Sequence, residues 1–229
     1  MGEAEAEAAG RRSGMGVTYS SETDGAASET LLRLKERLRL PFDVAQRLVV
    51  TYHEHSMLPI LDESSVRSLF SIALRPYVVE DPSTRADFLD EVLEAVWIIF
   101  SDSATCFAQE ILSCIVLLCN APWNKRLSLM FDIFKCHAIE ELYHEDLQLA
   151  SQVTAQGLLR LWRAPAWPIE DLRSLSESIA DHAFLKLEKD LADPVARDAF
   201  ITWSLDRFRE ARTVATTDAL KQIYTTTFL

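Results

Sequence analysis

A frame of one amphipathic helix, a loop of twelve residues and a second amphipathic helix recurs along this chain. In the clearest copy, large apolar residues between Leu127 and Phe134 share one helix face. Residues Lys135 to Asp146 form the loop, and Leu147 begins the apolar face of the second helix. Because the flanking segments follow the helical period and no long strand pattern occurs, the sequence predicts an all-α fold.

The same frame fits three further segments. Near the end of the chain, a helix closes at Leu187, the loop runs from Glu188 to Ala199, and an apolar helix follows. Upstream, a helix ending at Phe100 precedes a loop about one residue short of twelve. The first copy is the weakest and spans Glu54 to Ser65, with Leu61 at its eighth position. The sequence therefore predicts four helix-loop-helix units.

The loops have lost the residues with which such loops bind calcium. Calcium loops of this length carry oxygen ligands at positions 1, 3 and 5, glycine at 6 and a bidentate glutamate at 12. In the clearest copy, these positions hold Lys135, His137, Ile139, Glu140 and Asp146. The last copy keeps acids at positions 1 and 3 but has Ala199 at position 12. A cation at position 1 repels calcium, so we expect no metal and no cofactor.

Four stretches resemble the EF-hand superfamily of calmodulin, calcineurin B and the neuronal calcium sensors, over residues 40–224. They read FAQEILSCIVLLCNAPWNKRLSLMFDIF, HEDLQLASQ, HAFLKLEKDLADPVARDAFITW and LDESSVRSLFSIAL. The last of these stretches and the order of the units are most similar to the calaxin family, which is associated with docking of outer dynein arms in cilia. The departures at the ligand positions set this chain apart from the calcium-switching members.

The resemblance implies two lobes of paired EF-hands with short loop-loop ribbons. Residues 30–121 would form the N-terminal lobe and residues 122–229 the C-terminal lobe. Loop position 8, which pairs across the ribbon in EF-hands, is occupied by Leu142 and Val195. Residues 1–29 lack apolar periodicity, and we expect them to form a disordered acidic tail. Met1 and Gly2 begin an imperfect myristoylation signal, with Ala6 where serine or threonine is preferred.

Composition excludes several classes of function. A net charge of −12 argues against nucleic-acid binding, which needs clustered basic residues. Five of the six glycines lie within the first 25 residues, so a glycine-rich nucleotide loop is missing. The longest apolar run, Ile111 to Cys119, is too short to span a membrane. Four cysteines without CxxC spacing indicate buried thiols in a reducing, cytoplasmic compartment.

Helical spacing also predicts the core and several helix ends. Thr84 begins a run to Phe100, Pro168 begins a helix to about Leu187, and Asp218 precedes a terminal helix. The expected core residues are Leu48, Phe70, Phe88, Val92, Val96, Phe100, Ile111, Ile115, Leu118, Phe131, Phe134, Leu147, Phe184, Phe200 and Trp203. The helix that ends near Trp162 is longer than an ordinary EF-hand helix. Its extra turns either pack between lobes or line a partner groove.

No catalytic residues emerge from the sequence. Glu141 and His144 form an ExxH pair, but a di-iron centre needs a second such pair, which is missing. His53 and His55 point to different helix faces, which spoils them as a chelating pair. We predict that apolar positions less needed for the lobe cores form a partner groove. These are Trp97, Leu117, Leu158, Trp162 and Phe208.

Two hypotheses for function follow from the resemblance. The first is a non-catalytic, calcium-independent structural adaptor, placed in the cytoplasm and at the axoneme of a cilium or flagellum. The second is a calcineurin-B-like regulatory subunit or a light chain that binds an amphipathic helix of an enzyme or motor. In both, the partner is a protein, and the acidic charge of the chain favours a basic amphipathic helix.

Overall fold

The computed structural model describes residues 29, 32–55, 58–75, 82–102, 104–135, 140–164 and 167–213 of the chain. Side chains are described for all of these except residues 82–86 and 208–213. The chain divides into two compact units, Met1–Arg33 and Leu34–Leu229. In the first unit, Arg33 and Glu29 form an exposed ion pair at 2.6 Å. The second unit holds the four helix-loop-helix frames.

The described part of the chain is mostly helical, as predicted. Its first helices are α1 (32–37), α2 (Phe42–Glu54), α3 (Glu63–Leu74), α4 (Pro82–Phe100) and α5 (Ala108–Leu118). The later helices are α6 (Trp123–Phe134), α7 (His144–Leu161), α8 (Ile169–Lys186) and α9 (Arg197–Thr213). Four very short strands lie between them: β1 (Ile60–Asp62), β2 (Thr105–Phe107), β3 (Glu141–Leu142) and β4 (Val195–Ala196).

The loops meet in two short antiparallel ribbons. Strand β1 pairs with β2, so that Leu61 faces Cys106. Strand β3 pairs with β4, so that Leu142 faces Val195. All four side chains are buried, which anchors each ribbon in the core. The first loop is thereby joined to the second, and the third loop to the fourth.

One continuous apolar cluster draws on every helix of the second unit. It confirms as buried the predicted core residues Leu48, Phe70, Val92, Val96, Phe100, Ile111, Ile115, Phe131, Phe134, Leu147, Phe184 and Phe200. The prediction for Phe88 is wrong, because 40% of this residue is exposed. The apolar period of α4 continues to Phe88, but the core covers this helix only from Leu89 and Val92 onward. Leu118 and Trp203 pack at the edge of the cluster.

Some helix ends differ from their predicted positions. Thr84 is not a helix start, because α4 already begins at Pro82. Proline is favourable there, since the first helical position needs no backbone N–H donor. Pro168 is the N-cap of α8, which ends at Lys186 as expected. The predicted helix after Asp218, the tail 1–28 and Cys136 lie outside the described residues. The predicted lobe boundary falls in the turn between α5 and α6 and stays a prediction.

Among the described helices, none is both long and apolar enough to cross a membrane.

Helices α5 and α7 cross closely at Gly157. A methyl group added there would lie 2.9 Å from Cys114 Sγ and 3.1 Å from the Glu110 carbonyl oxygen, closer than carbon atoms normally approach. Cys114 is fully buried, so its side chain has little room to move away. The absence of a side chain at position 157 therefore sets the distance between the two helices.

Replacing Gly157 with leucine should destabilise the protein by about 3 kcal/mol, because overpacking of a rigid crossing displaces both helices. Thermal or urea unfolding monitored by circular dichroism measures this change. The control is Gln156→Leu at the adjacent position, which is half-buried and should change stability by less than about 1 kcal/mol. Equal stability of the two variants would contradict the close crossing.

Candidate functional site

Lys135, the first residue of the third loop, lies between two carboxylates. Its Nζ is 3.1 Å from Asp132 Oδ1, one turn earlier at the end of α6. It also donates to the carboxylate of Glu140, the sixth residue of the loop. The lysine side chain is 21% exposed, so its ammonium group is held within the loop and not in free solution.

Arg197, the first residue of α9, reaches the same carboxylates from the fourth loop. Its guanidinium donates to Asp132 Oδ1 at 2.6 Å and to Asp132 Oδ2 at 3.0 Å, a bidentate pair. It also donates to the Ser128 carbonyl and hydroxyl oxygens, both at 3.0 Å, and to Glu140. The guanidinium lies 4.8 Å from the centre of the Phe131 ring. Arg197 therefore fastens the fourth loop to α6 and to the third loop.

Together, Lys135 and Arg197 supply two positive charges to Asp132 at the end of α6 and to Glu140 in the third loop. Hydrogen bonds from Lys135 and then from Arg197 lower the pKa of Glu140 to about 2. The hydrogen bonds with Asp132 raise the pKa of Arg197 above its usual value. We name this set of Lys135, Arg197, Asp132 and Glu140 the loop ion cluster. Glu140 and Arg197 therefore stay charged across the physiological pH range.

Other loop carboxylates accept backbone hydrogen bonds. Asp146, the twelfth residue of the third loop, accepts from the Tyr143 N–H at 2.9 Å at the start of α7. In the fourth loop, Asp193 Oδ2 accepts from the Asp190 N–H at 3.3 Å. Asp62 in the first loop accepts from Ser65 N–H at 2.8 Å, which lowers the pKa of Asp62. These carboxylates stabilise turns and helix starts.

Within the described ranges, no group of three or more histidine, cysteine, aspartate or glutamate side chains is placed to hold a metal ion. The ring of His144, from the ExxH pair, bonds to Asp181 Oδ1 through Nε2 at 2.8 Å and contacts the Phe184 ring edge-on. His53 Nε2 lies 2.6 Å from the Asp132 carbonyl oxygen, whereas His55 bonds within its own helix.

Four helices of the second half of the chain enclose a mostly apolar cleft of about 40 Å³. We name it the C-terminal cleft. It is lined by Met130, Leu147, Ala150, Ser151, Thr154, Ile179, Phe200, Trp203, Ser204 and Arg207. Helix α6 contributes the first residue, α7 the next four, α8 contributes Ile179, and α9 contributes the rest. The volume of the cleft is therefore too small for a large ligand.

Two polar atoms in the wall of the C-terminal cleft lack a hydrogen-bond partner among the described residues. They are Thr154 Oγ1 and Trp203 Nε1. Thr154 is 1% exposed, so its hydroxyl cannot easily reach bulk water. A buried polar group without a partner costs about 1 to 3 kcal/mol.

The five predicted groove residues do not come together on one surface. Leu117 and Leu158 are buried in the core. Trp97 is half-buried on α4, away from the C-terminal cleft. Trp162 is 55% exposed, and the Lys35 ammonium lies 3.7 Å from its ring centre. The side chain of Phe208 is outside the described set. Of the extra turns of α7, Leu158 therefore packs in the core, whereas Trp162 does not.

Sequence reasoning missed the buried ion pair at the crossing of α5 and α7. Arg160 Nε lies 3.1 Å from Glu110 Oε2, and the glutamate side chain is 2% exposed. Burial raises the pKa of Glu110 to about 7, although Arg160 acts in the opposite direction. The ionised form of Glu110 is thus costly in the folded protein. Cys106 and Cys114 beside it are buried free thiols, as predicted.

Sequence reasoning also missed the roles of Arg197 and of the C-terminal cleft. Arg197 stands at the tenth position of its loop, where it reads as an ordinary exposed residue at a helix start. A signal was present in the neighbouring loop, where Lys135 and Glu140 depart together from the calcium pattern. No such signal existed for the contact between Arg197 and Asp132, because the pairing of β3 with β4 brings these two residues together.

Comparisons with models of protein families, with curated proteins and with solved structures find no match to this chain.

Proposed function

We propose that this chain is a non-catalytic, calcium-independent adaptor built from four degenerate EF-hand units in two lobes. One observation carries the proposal: side chains of the protein itself, Lys135 and Arg197, supply the positive charge of the third loop. The β3–β4 ribbon with Leu142 opposite Val195 supports the loop pairing that the resemblance implies. The chain would thus keep the framework of a calcium sensor without its ion.

The loop ion cluster explains why binding would be constitutive. In a calcium sensor, the ion provides the free energy that opens a lobe and exposes its groove. Here Arg197 already fastens α9 to Asp132 in α6, and Phe131 and Phe200 pack together behind it with ring centres 5.8 Å apart. Since Arg197 and Glu140 remain charged at physiological pH, the position of α9 does not depend on a soluble ion.

The partner of this proposal is a basic amphipathic helix that places apolar side chains in the C-terminal cleft. The apolar lining of the cleft supports an occupant with apolar side chains. The net charge of −12 would speed association with a basic partner. The resemblance to calaxins suggests that this partner belongs to the axoneme of a cilium or flagellum, at the dynein-docking region of doublet microtubules.

The experiment follows a tagged chain in ciliated or flagellated cells. We expect it to remain along the axoneme after extraction with detergent and EGTA, and calorimetry should detect no calcium site in the micromolar range that sensors use. Ile179→Arg, which fills the C-terminal cleft, should abolish retention without unfolding the protein. The matched control is Leu185→Arg on the same helix, where the native side chain is 76% exposed. It should be retained like the wild type.

Release of the wild-type chain by EGTA, or a micromolar calcium site, would refute the adaptor proposal. Copurification with a phosphatase catalytic chain instead of tubulin and dynein components would favour the regulatory-subunit hypothesis. Retention of Ile179→Arg would show that the C-terminal cleft is not the partner site.

A further inference from the structure

A second surface, between α3 and α4, has the shape and charge of a binding groove. We name it the α3–α4 groove, and its volume is about 330 Å³. It is lined by Glu63, Val66, Arg67, Asp90, Leu93, Glu94, Trp97 and Ile98. This volume falls within the range of protein pockets that hold ligands or partner side chains. None of the lining residues belongs to the C-terminal cleft.

The floor of the α3–α4 groove is apolar. Val66 and Leu93 are 1% and 8% exposed and join the groove to the core. Trp97 is half-buried and packs against the core cluster. Ile98 at the edge is 47% exposed, so its apolar surface remains available. A tryptophan in such a position is a common energetic centre of a protein interface.

The rim of the groove is acidic. Glu63, Asp90 and Glu94 line it and are all exposed. Two guanidinium groups oppose them: Arg67 contacts Asp90 at 2.7 Å, and Arg37 contacts Glu94 at 3.3 Å and Glu91 at 3.6 Å. The lining thus holds three carboxylates and one cation, Arg67, and the rim keeps an excess of negative charge.

The ion pair between Arg67 and Asp90 crosses the groove but is exposed to solvent. Arg67 belongs to α3 and Asp90 to α4, so their contact joins the two walls. Both side chains are more than half exposed, and exposed pairs of this kind contribute only about 0 to 1 kcal/mol. A lysine or arginine of a partner can therefore compete for the carboxylates at little cost.

We propose that the α3–α4 groove binds a basic segment of a protein partner that carries large apolar side chains. The apolar side chains would rest on Trp97 and Ile98, and its lysines or arginines would pair with Glu63 and Glu94. This contact is separate from the C-terminal cleft and depends neither on calcium nor on the axonemal partner. The chain would then hold two partner segments at once, as an adaptor must.

The affinity test uses the full chain carrying Ile179→Arg, which fills the C-terminal cleft, and a fluorescent amphipathic helix of leucine and lysine as the probe. The groove variant Ile98→Ser with Glu94→Gln removes one apolar side chain and one charge. We expect it to weaken binding at least about tenfold. The matched control, Leu185→Ser with Glu177→Gln on α8, makes the same chemical changes at exposed positions elsewhere. It should change the Kd by less than about twofold.

A photo-crosslinking group on the probe locates the contact independently of affinity. Adducts should map to residues 63–67 and 90–98. Three results would overturn the proposal. They are adducts confined to the C-terminal cleft, equal weakening of binding by both double variants, and no binding of the probe by the wild type. Sedimentation should show a monomer; a dimer that the groove variant dissociates would instead assign this surface to a second copy. Cleft binding with an inert groove would leave the adaptor proposal intact.

Discussion

Replacing Phe131 with alanine should lower the free energy of unfolding by about 3 to 5 kcal/mol, the usual cost of removing a fully buried phenylalanine. Its ring lies 5.8 Å from that of Phe200 and beneath the guanidinium of Arg197, at 4.8 Å. The cavity would therefore weaken both the apolar contact between α6 and α9 and the support of the loop ion cluster. Urea unfolding followed by tryptophan fluorescence measures the loss.

The matched control for Phe131→Ala is Phe88→Ala. Both changes remove the same side chain from a helix, but Phe88 is 40% exposed and lies where the core no longer covers α4. We expect this control to cost about 1 kcal/mol or less. A similar loss of unfolding free energy for the two variants would contradict the difference in burial between Phe131 and Phe88.

Replacing Arg160 with alanine should cost about 3 kcal/mol at pH 8 and markedly less at pH 5. At pH 8 the Glu110 carboxylate is mostly ionised, since its pKa is about 7, and the substitution leaves this buried charge without its partner. The expected cost is at the low end for buried pairs because Arg160 is 23% exposed. At pH 5 Glu110 holds its proton in the folded protein, so less is lost with Arg160.

The wild-type protein should itself respond to pH through Glu110. Its folded pKa of about 7 lies above the usual 4.5, so between these values the folded state holds a proton that the unfolded state has released. The contribution of this group to stability therefore falls as pH rises from 4.5 to 7 and is level above that. Glu110→Gln should remove this slope, as measured by urea unfolding at several pH values.

The control for Arg160→Ala is Arg67→Ala, which breaks the exposed ion pair with Asp90. It should cost no more than about 1 kcal/mol at either pH. A loss for Arg160→Ala that is equally small, or equal at pH 5 and pH 8, would contradict the burial of Glu110.

The amino-acid sequence by itself determined the helices, most of the core and the partners in the second ribbon. Helical spacing places Val92, Val96 and Phe100 on one face of α4, and all three residues are buried. Leu142 and Val195 could be matched because loop length fixes their position between two helices. Such features depend on the local backbone period, which the order of the residues encodes directly.

Only the tertiary structure decided which surfaces the chain leaves open. Phe88 continues the apolar face of α4 but lies beyond the helices that cover it, and Leu117 and Leu158 are buried by partners distant in sequence. Arg197 meets Asp132, 65 residues earlier, because a ribbon joins their loops. Burial and charge pairing depend on contacts between distant segments. Residues of the same type are therefore buried at one position and exposed at another, according to what packs against them.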